Sequence, residues 1–328
     1  MKAMLMHEAG SPMVLSDVPK PHPGARDLVI RLHAAGVNPV DTKLRRRGTY
    51  FPEKLPCILG LDGAGVVESV GASVKRFRPG DEVFFLNGGI GDEPGNYAEY
   101  ALVREDYVAK KAASLSMIEA AAIPLVFITA WESLFDRAGL APKQSVLIHA
   151  GAGGVGHVAI QIAKYFGAKV ATTVSSPEKA AFVTSLGADL AINYNEQDFV
   201  SEVLEWTNGN GVDVALDTVG GETFCKSFGA VRHYGKVVTL LDPPCPSMKE
   251  ARIRNLMVGY ELMLSPILHG MHDRRLAQRA MLEAASEMAE AGRLRVRIAA
   301  ALPLASANDA HELVESGHTT GKMVLKIA

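Results

Sequence analysis

Cysteine is scarce in this chain of 328 residues: it has only Cys57, Cys225 and Cys245, far apart and without a C-x-x-C pair. A small, odd and widely spaced set argues against a disulfide framework and against a zinc lobe held by four cysteines. We therefore predict that all three are small buried hydrophobic residues.

Charge imbalance and long apolar runs are also lacking. The formal net charge of −2 offers a polyanion such as nucleic acid nothing to bind. The most apolar stretch, "AAAIPLVFITAW", is too short to span a bilayer and contains Pro124. The start, "MKAMLMHEAG", has no apolar segment of signal-peptide length. These features predict a cytoplasmic protein without nucleic-acid or membrane partners, and the length favours two domains.

The clearest motif lies in "SVLIHAGAGGVGHVAIQIAKYFGAKV", residues 145–170. A β-branched run ends in glycines, apolar residues then recur at helical spacing, and a second strand follows. Gly151, Gly153 and Gly156 form G-x-G-x-x-G between strand and helix, the setting of a dinucleotide-binding turn. The first glycine permits the turn, the second lets the backbone approach a pyrophosphate, and the third lets helix and strand pack closely. A glycine-rich turn without a ligand is the alternative.

Strand and helix patterns keep alternating beyond this motif. Helical segments such as "PEKAAFVTSLG" and "DFVSEVLEWT" separate strand-like segments such as "LAINY" and "VDVALDTV", and "NLMVGYELM" is a candidate sixth strand. Such alternation is typical of a doubly wound parallel sheet. Residues 121–264 are therefore predicted to form an α/β Rossmann domain that binds a dinucleotide.

The end of the second strand bears on which dinucleotide would bind. NAD sites usually have an acid there, about 20 residues after the glycines, for the ribose 2′-OH. This chain has Ser175 and Ser176 instead, with Lys179 one turn later. Hydroxyls and a cation suit a 2′-phosphate, so we predict NADPH. Two interpretations stay open: a serine can simply cap the helix beginning near Pro177, and Tyr194 either lies over the adenine or belongs to the core or rim.

The two ends of the chain have a different pattern. Residues 1–120 combine strand-like pieces with Pro/Gly-rich turns such as "PKPHPG" and "FRPGDEV", which indicates an antiparallel, barrel-like domain. The final residues add two strands around one helix, after a long helix near 273–291. We predict a discontinuous catalytic domain, residues 1–120 plus 265–328, with the Rossmann domain inserted in it and the active site in the cleft between the two.

Seven segments, in chain order, together resemble the medium-chain dehydrogenase/reductase superfamily: "GVNPVDTKLRRRGTY", "LGLDGAGVVESVG", "RPGDEVF", "HAGAGGVG", "SLGAD", "DTVGG" and "GHTTGKMVLKI". The resemblance covers nearly the whole chain and looks most like the zinc-independent quinone oxidoreductase branch, which includes ζ-crystallin and plant enone reductases. It implies that the barrel domain is GroES-like. We also predict cofactor contacts at Ala152, Gly154, Val155, Val219, Leu240 and Lys322.

The same resemblance argues against a metal site. Zinc alcohol dehydrogenases of the superfamily read G-H-E where this chain reads Gly60-Leu61-Asp62, and their catalytic cysteine falls on Asn38. Leucine cannot bind zinc and a neutral amide is a poor ligand, so we predict no metal. The stretch "GLDGAG" is then scaffold, in which glycines let a barrel strand bend and Asp62 makes backbone hydrogen bonds at the bend. A direct role of Asp62 in the site is the alternative.

The resemblance implies NADPH-dependent reduction of a quinone or of the C=C bond of an α,β-unsaturated carbonyl compound. The cofactor carries the hydride, so the protein must orient it, exclude water and stabilise the developing enolate. Asn38 and Thr129 would lie near the nicotinamide. Lys43 stands where the family motif ends in tyrosine, which weakens a pure quinone-reductase assignment. The alternatives are an NADPH-binding protein with little turnover and, less favoured, a zinc-type alcohol dehydrogenase.

A proton must follow the hydride, and the sequence shows no Ser-His-Asp array or histidine pair to supply it. Lys43 and Tyr50 are the side-chain candidates and water is the third, and we favour water or a shared role. His33 and His149 are interpreted as structural.

The segment "RIRNLMVGYELML" has apolar residues on both faces, as expected of a terminal strand with a bare edge. It predicts a homodimer joined at this edge, and the resemblance supports such pairing.

Overall fold

A computed structural model describes residues 1–241, 245–317 and 319–328. In the segment "GHTTGKMVLKI", His318 therefore lies outside the described residues. By their internal contacts the described residues divide into two compact units. The first unit comprises Met1–Leu125 and Leu264–Ala328, and the second comprises Val126–Met263. No helix in the described ranges is long and apolar enough to cross a membrane.

Strands and helices are numbered along the chain. The strands are β1 Lys2–Met6, β2 Val14–Asp17, β3 Asp27–Val37, β4 Cys57–Ile58, β5 Asp62–Val70, β6 Glu82–Leu86, β7 Tyr100–Arg104, β8 Val108–Lys110, β9 Ser145–Ile148, β10 Lys169–Val174, β11 Leu190–Asn193, β12 Val212–Asp217, β13 Val231–Thr239, β14 Met257–Tyr260, β15 Ile298–Pro303 and β16 Lys322–Lys326. The helices are α1 Pro39–Arg47, α2 Met117–Ala121, α3 Pro124–Trp131, α4 Gly154–Tyr165, α5 Pro177–Ser185, α6 Phe199–Trp206, α7 Gly221–Ala230, α8 Lys249–Ile253, α9 Ser265–Leu268, α10 His272–Glu290 and α11 Ala307–Glu315.

The second unit is built on a six-stranded parallel sheet in the order β11-β10-β9-β12-β13-β14. Chain order reverses between β9 and β12, which is the arrangement of a doubly wound Rossmann sheet. The central strand β9 buries Val146, Leu147 and Ile148 completely, because helices cover both faces of such a sheet. The predicted Rossmann fold is confirmed, and "NLMVGYELM" forms its sixth strand, β14.

The first unit contains a seven-stranded sheet in which β15, β16, β3, β5, β6 and β8 follow one another and β7 pairs with β3. A smaller sheet has the order β2-β1-β4. Leu28, Ile30, Leu32 and Phe85 pack in a core cluster beneath the large sheet. Pairing is antiparallel as predicted, except that β15 and β16 are parallel, because α11 connects them as a crossover.

The stretch "GLDGAG" leads into β5, and its glycines are needed there. Gly60 has φ +96°, a backbone conformation that favours glycine, and a Cβ on it would collide with the Tyr97 ring. A Cβ on Gly65 would collide with the backbone of Arg31 on the neighbouring strand β3. This stretch is therefore a close-packed corner of the sheet, consistent with its interpretation as scaffold.

The prediction for two of the cysteines is wrong. Cys225 on α7 and Cys245 after β13 form a disulfide, with Cα atoms 5.8 Å apart. The chain after β13 returns to α7, so residues separated by 20 positions meet, and spacing in the sequence alone cannot reveal this. Cys57 is free and buried as predicted, and burial raises the pKa of its thiol to about 11.

Candidate active site

The G-x-G-x-x-G turn connects β9 to α4. A Cβ on Gly151 would collide with the side chain of Thr172, and one on Gly156 with the carbonyl oxygen of Ala150. By contrast, the nearest atom to a Cβ on Gly153 is that same carbonyl oxygen, at 3.1 Å. Packing within the chain thus requires the first and third glycines, whereas a Cβ on the second would meet a single backbone oxygen at a tight but not colliding distance.

The amino end of α4 completes this cradle. Gly153 is the N-cap with φ −76° and ψ 178°, and Gly154, Val155 and Gly156 begin the first turn. Backbone N–H groups at such an end have no partner within the helix and carry the positive end of the helix dipole. Ala152 is buried directly before the cap. The turn therefore fits a pyrophosphate.

A lysine–serine pair lies at the carboxyl end of β10, next to this turn, since Gly151 N donates to Thr173 O at 3.0 Å. Lys179 Nζ donates to Ser175 Oγ at 2.9 Å. In the hydrogen bonds of the described residues the Ser175 hydroxyl only accepts, so its hydrogen and the remaining ammonium hydrogens can be donated to an anion.

Ser176 has a different role. Its Oγ accepts from Lys179 N at 3.3 Å and so caps α5, which was one of the two interpretations of the serines. A hydrogen bond from its hydroxyl lowers the pKa of the exposed Glu178 carboxyl. Glu178 is the acid in the first turn of α5.

A cavity of about 360 Å³ opens at the carboxyl ends of the sheet, lined among others by His149, Tyr194 and Val219. The side chains of Tyr194 and Val219 are exposed. Asp217 Oδ1 accepts from Val219 N at 3.0 Å, and Leu240 N donates to Asp217 O at 3.1 Å. Asp217, which the sequence analysis missed, thus joins the two predicted contact segments after β12 and β13.

His149 is buried at the base of this cavity. Its Nε2 lies 2.8 Å from Ser227 Oγ and its Nδ1 lies 3.2 Å from Thr173 Oγ1. Burial lowers the pKa of its imidazole to about 4, so the ring is neutral at physiological pH. These contacts agree with a structural role.

The predicted catalytic residues fall in both units. Thr129 is buried on α3 in the second unit. In the first unit, Asn38 is fully buried before α1, Lys43 is exposed on α1, and Tyr50 is exposed just after it. Partial burial of its ammonium, together with Arg47, lowers the pKa of Lys43.

Asn38 is held by a buried ion pair. Its Nδ2 donates to Asp62 Oδ2 at 2.9 Å, and its Oδ1 accepts from Lys322 Nζ. Lys322 Nζ lies 3.6 Å from Asp62 Oδ2 and also donates to Val37 O. Asp62 Oδ1 accepts from Leu125 N at 2.8 Å. We expected Asp62 to bond to the backbone at the bend itself, but this partner is in a distant segment. The ammonium of Lys322 thus has three partners within the first unit.

Asp41 extends this cluster in a direction that the sequence analysis missed. Its Oδ2 accepts from Asn38 N at 2.8 Å and from Tyr97 Oη at 3.2 Å, while its buried Oδ1 has no hydrogen-bond partner among the residues that the structure describes. Burial, and then the charge of Asp62, raises the pKa of Asp41 to about 7. His311 Nε2 lies 3.2 Å from Tyr97 Oη. An acid at the third position of α1 is a local sequence signal for a capping box, and it could have indicated Asp41. Tyr97 and His311 come from distant segments that carry no such signal.

Two family models match the chain. One is the alcohol dehydrogenase GroES-like domain over residues 24–113, and the other is a zinc-binding dehydrogenase domain over residues 186–325. The human protein named quinone oxidoreductase is 32% identical over 99% of this chain and 97% of its own length. The chain belongs to the medium-chain dehydrogenase/reductase superfamily, in its quinone oxidoreductase branch. It is an oxidoreductase of a nicotinamide-dependent family.

Solved structures agree with this membership. An alcohol dehydrogenase superfamily protein from Novosphingobium aromaticivorans superposes with a TM-score of 0.93 at 35% identity, covering 100% of both chains. The quinone oxidoreductase from Coxiella burnetii gives a TM-score of 0.85 at 33% identity, covering 100% of this chain and 99% of that chain. The GroES-like first unit and the Rossmann second unit are those of this superfamily.

The side chains at the position of the catalytic zinc site in zinc alcohol dehydrogenases fit a zinc ion poorly in this chain. The side chain of Leu61 has no atom that can bind a metal, and Asn38 Oδ1 already accepts a hydrogen bond from the ammonium of Lys322. The Lys322 ammonium also faces Asp62, the carboxylate in the stretch Gly60-Leu61-Asp62 that aligns with the zinc-ligand motif G-H-E. No cluster of three His, Cys, Asp or Glu in the described parts of the chain is arranged to hold a metal.

Proposed function

We propose that this chain is an NADPH-dependent oxidoreductase that transfers a hydride to a quinone or to an α,β-unsaturated carbonyl compound without a metal. The observation that carries the proposal is the Lys179–Ser175 pair beside the glycine turn. The names of the human and Coxiella burnetii relatives support the substrate class. A bound NADPH would supply the hydride, and the chain would hold and orient it.

Each part of the second unit would bind a different part of the cofactor. The pyrophosphate would lie against Gly153 and the first turn of α4, because N–H groups and the helix dipole favour anions there. The adenosine would enter the cavity beside Tyr194, and Ser175 with Lys179 would receive the 2′-phosphate. The proposed cofactor contacts are Gly151, Ala152, Gly153, Gly154, Val155, Gly156, Ser175, Ser176, Lys179, Tyr194, Val219 and Leu240 in the second unit, and Lys322 in the first.

A screen of NADPH consumption over a panel of quinones and enones tests the activity directly. We expect turnover with at least one class, and NADPH preferred over NADH. A protein that binds NADPH but consumes none across the panel would contradict the proposed activity. Equal efficiency with both cofactors would contradict the assigned cofactor.

Lys179→Ala is expected to raise the Michaelis constant for NADPH and to leave that for NADH little changed. One charged hydrogen bond to the 2′-phosphate would be lost, about 1–3 kcal/mol or roughly tenfold to a hundredfold. Steady-state kinetics with both cofactors measure this. Lys169→Ala, an exposed lysine at the other end of β10, is the matched control and should change neither constant.

We propose that the proton is delivered by water, or by water together with the Lys43 and Tyr50 side chains. Lys43→Met and Tyr50→Phe should then each cost less than about tenfold in turnover, because both side chains are exposed in the first unit. A general acid in the reaction would instead be worth about a hundredfold or more. Turnover and NADPH affinity are measured for each variant, and a hundredfold fall with intact binding would show that the side chain is the acid.

We also propose a homodimer joined at β14, the terminal strand of the Rossmann sheet. Met257 and Tyr260 on it are 62% and 61% exposed, which suits a buried interface between copies. Light scattering should give about twice the chain mass of 35.0 kDa. The double variant Met257→Lys/Tyr260→Lys should give a monomer, and Leu313→Lys, an exposed leucine on α11, should not.

A further inference from the structure

A hydrogen bond from a side chain links the segments that follow β10 and β11, next to the proposed cofactor site. The parallel pairing of these strands ends at Val174 and Asn193. Tyr194 N still donates to Val174 O at 3.1 Å. One residue further, the side chain of Asn195 takes over, and its Nδ2 donates to Ser175 O at 2.9 Å. The amide thus continues the ladder by one step beyond the strands.

Side-chain amides also build the turn that holds Asn195. Asn195 N donates to Asn193 Oδ1 at 3.3 Å, and Asn193 N donates to Gln197 Oε1 at 3.2 Å. The first contact is an Asx-type turn, in which a side chain replaces a backbone acceptor. Tyr194 lies within this turn and lines the cavity with Gln197. The turn therefore fixes Asn195 relative to the end of β10.

We infer that Asn195 is a positioning residue for cofactor choice, because it holds the Ser175 backbone and thereby the Ser175–Lys179 pair. The inference rests on the proposed NADPH site. Without the link, Ser175 would be free to turn its hydroxyl away from Lys179, and two donors would no longer converge on one phosphate. The bond from Lys179 to Ser175 Oγ shows that the two donor groups are adjacent in this structure.

The charge near the hydrogen bond between Asn195 and Ser175 suggests a second test variant. Glu178 on α5 and Glu196 beside Asn195 are the acids nearest in sequence to the Ser175–Lys179 pair and to Asn195, and Glu178 is engaged by the Ser176 hydroxyl. An aspartate at position 195 would keep the size of the side chain, lose the donor to Ser175 O and add a negative charge. It should therefore oppose a 2′-phosphate more strongly than alanine does.

Calorimetric titration with 2′,5′-ADP and with 5′-AMP tests the inference, because the two probes differ in the 2′-phosphate. We expect Asn195→Ala to weaken 2′,5′-ADP binding about tenfold and 5′-AMP binding less than about twofold, and Asn195→Asp to weaken 2′,5′-ADP binding further. Asn210→Ala is the matched control, since Asn210 Nδ2 makes the same kind of bond, to Thr207 O at 3.0 Å, elsewhere in the second unit. It should leave the affinity ratio unchanged.

The outcomes separate this inference from the proposed function. If the native protein binds both probes equally well, the NADPH site is wrong and Asn195 has nothing to position. If Lys179→Ala lowers the affinity ratio but Asn195→Ala leaves it as in the native protein, the NADPH site stands and the inference fails. An Asn195→Ala variant that weakens both probes equally also overturns it, because a general loss of structure would act on both.

Discussion

Replacing Gly153 with alanine is expected to weaken NADPH binding about a hundredfold, the cost of about two lost charge-assisted hydrogen bonds, while the second unit stays folded. Among the described residues, the variant's new methyl group would meet Ala150 alone, with the carbonyl oxygen at 3.1 Å. The φ of −76° suits any residue. The carbonyl oxygen of Ala150 would have to move by a few tenths of an ångström to admit this methyl group, whereas a pyrophosphate against the backbone would be pushed away.

Two comparisons make this result specific. Gly259→Ala on β14 adds a methyl group with no neighbour within 4 Å in the described part of the chain, so it should leave binding unchanged. Gly151→Ala should instead lower the unfolding temperature, because its methyl group would collide with Thr172. Fluorescence titration with NADPH and thermal unfolding measure both effects. A Gly153→Ala variant with native affinity would mean that no phosphate approaches this turn.

The second unit was predictable because its signals are local. The three glycines, the helix that follows them and the alternation of strands and helices all lie within short windows of sequence. The sequence predicts a role for each glycine but not the contacts behind it, because Gly151 is constrained by Thr172 on the adjacent strand and Gly153 approaches the carbonyl oxygen of Ala150. The disulfide was missed for the same reason, since it depends on where the chain returns after β13.

The first unit carries the features that the sequence could not give. Asn38 and Lys322 are separated by 284 positions, yet they share a hydrogen bond. Only the pairing of β16 with β3 brings them together, and pairing over such a separation leaves no periodic signal. Asp62 was singled out as an acid among glycines, but its partners Asn38 and Leu125 could not be named from that pattern.

Replacing Lys322 with methionine is expected to cost about 3–5 kcal/mol of unfolding free energy, because it leaves one member of a buried ion pair unpaired. Lys322 and Asp62 are 3% and 0% exposed, so water cannot solvate the carboxylate that remains. Asn38 and Leu125 would still donate to Asp62, which keeps the loss toward the lower end of that range. Urea unfolding measures the change. Lys326→Met, an exposed lysine on the same strand, should cost under about 0.5 kcal/mol.

The pH dependence and a second substitution identify the cause of this loss. Burial already raises the pKa of Asp62, and without Lys322 it should rise further. A carboxyl whose pKa is higher in the folded state than in the unfolded state gives stability at low pH that is lost as pH rises through the folded pKa. The Lys322→Met variant should therefore lose more at about pH 8.5 than at about pH 5.5.

Adding Asp62→Asn should restore about 1 kcal/mol or more, because the charge is gone and the Asn38 amide, no longer held by an ammonium, can turn its oxygen toward the new amide. Asp41 and Tyr97 face the same cluster, and the charge of Asp62 raises the pKa of both side chains, so Asp62→Asn should also lower the pKa of Asp41. A double variant less stable than Lys322→Met at both pH values would show that packing around the lysine stem, and not the buried charge, determines the loss.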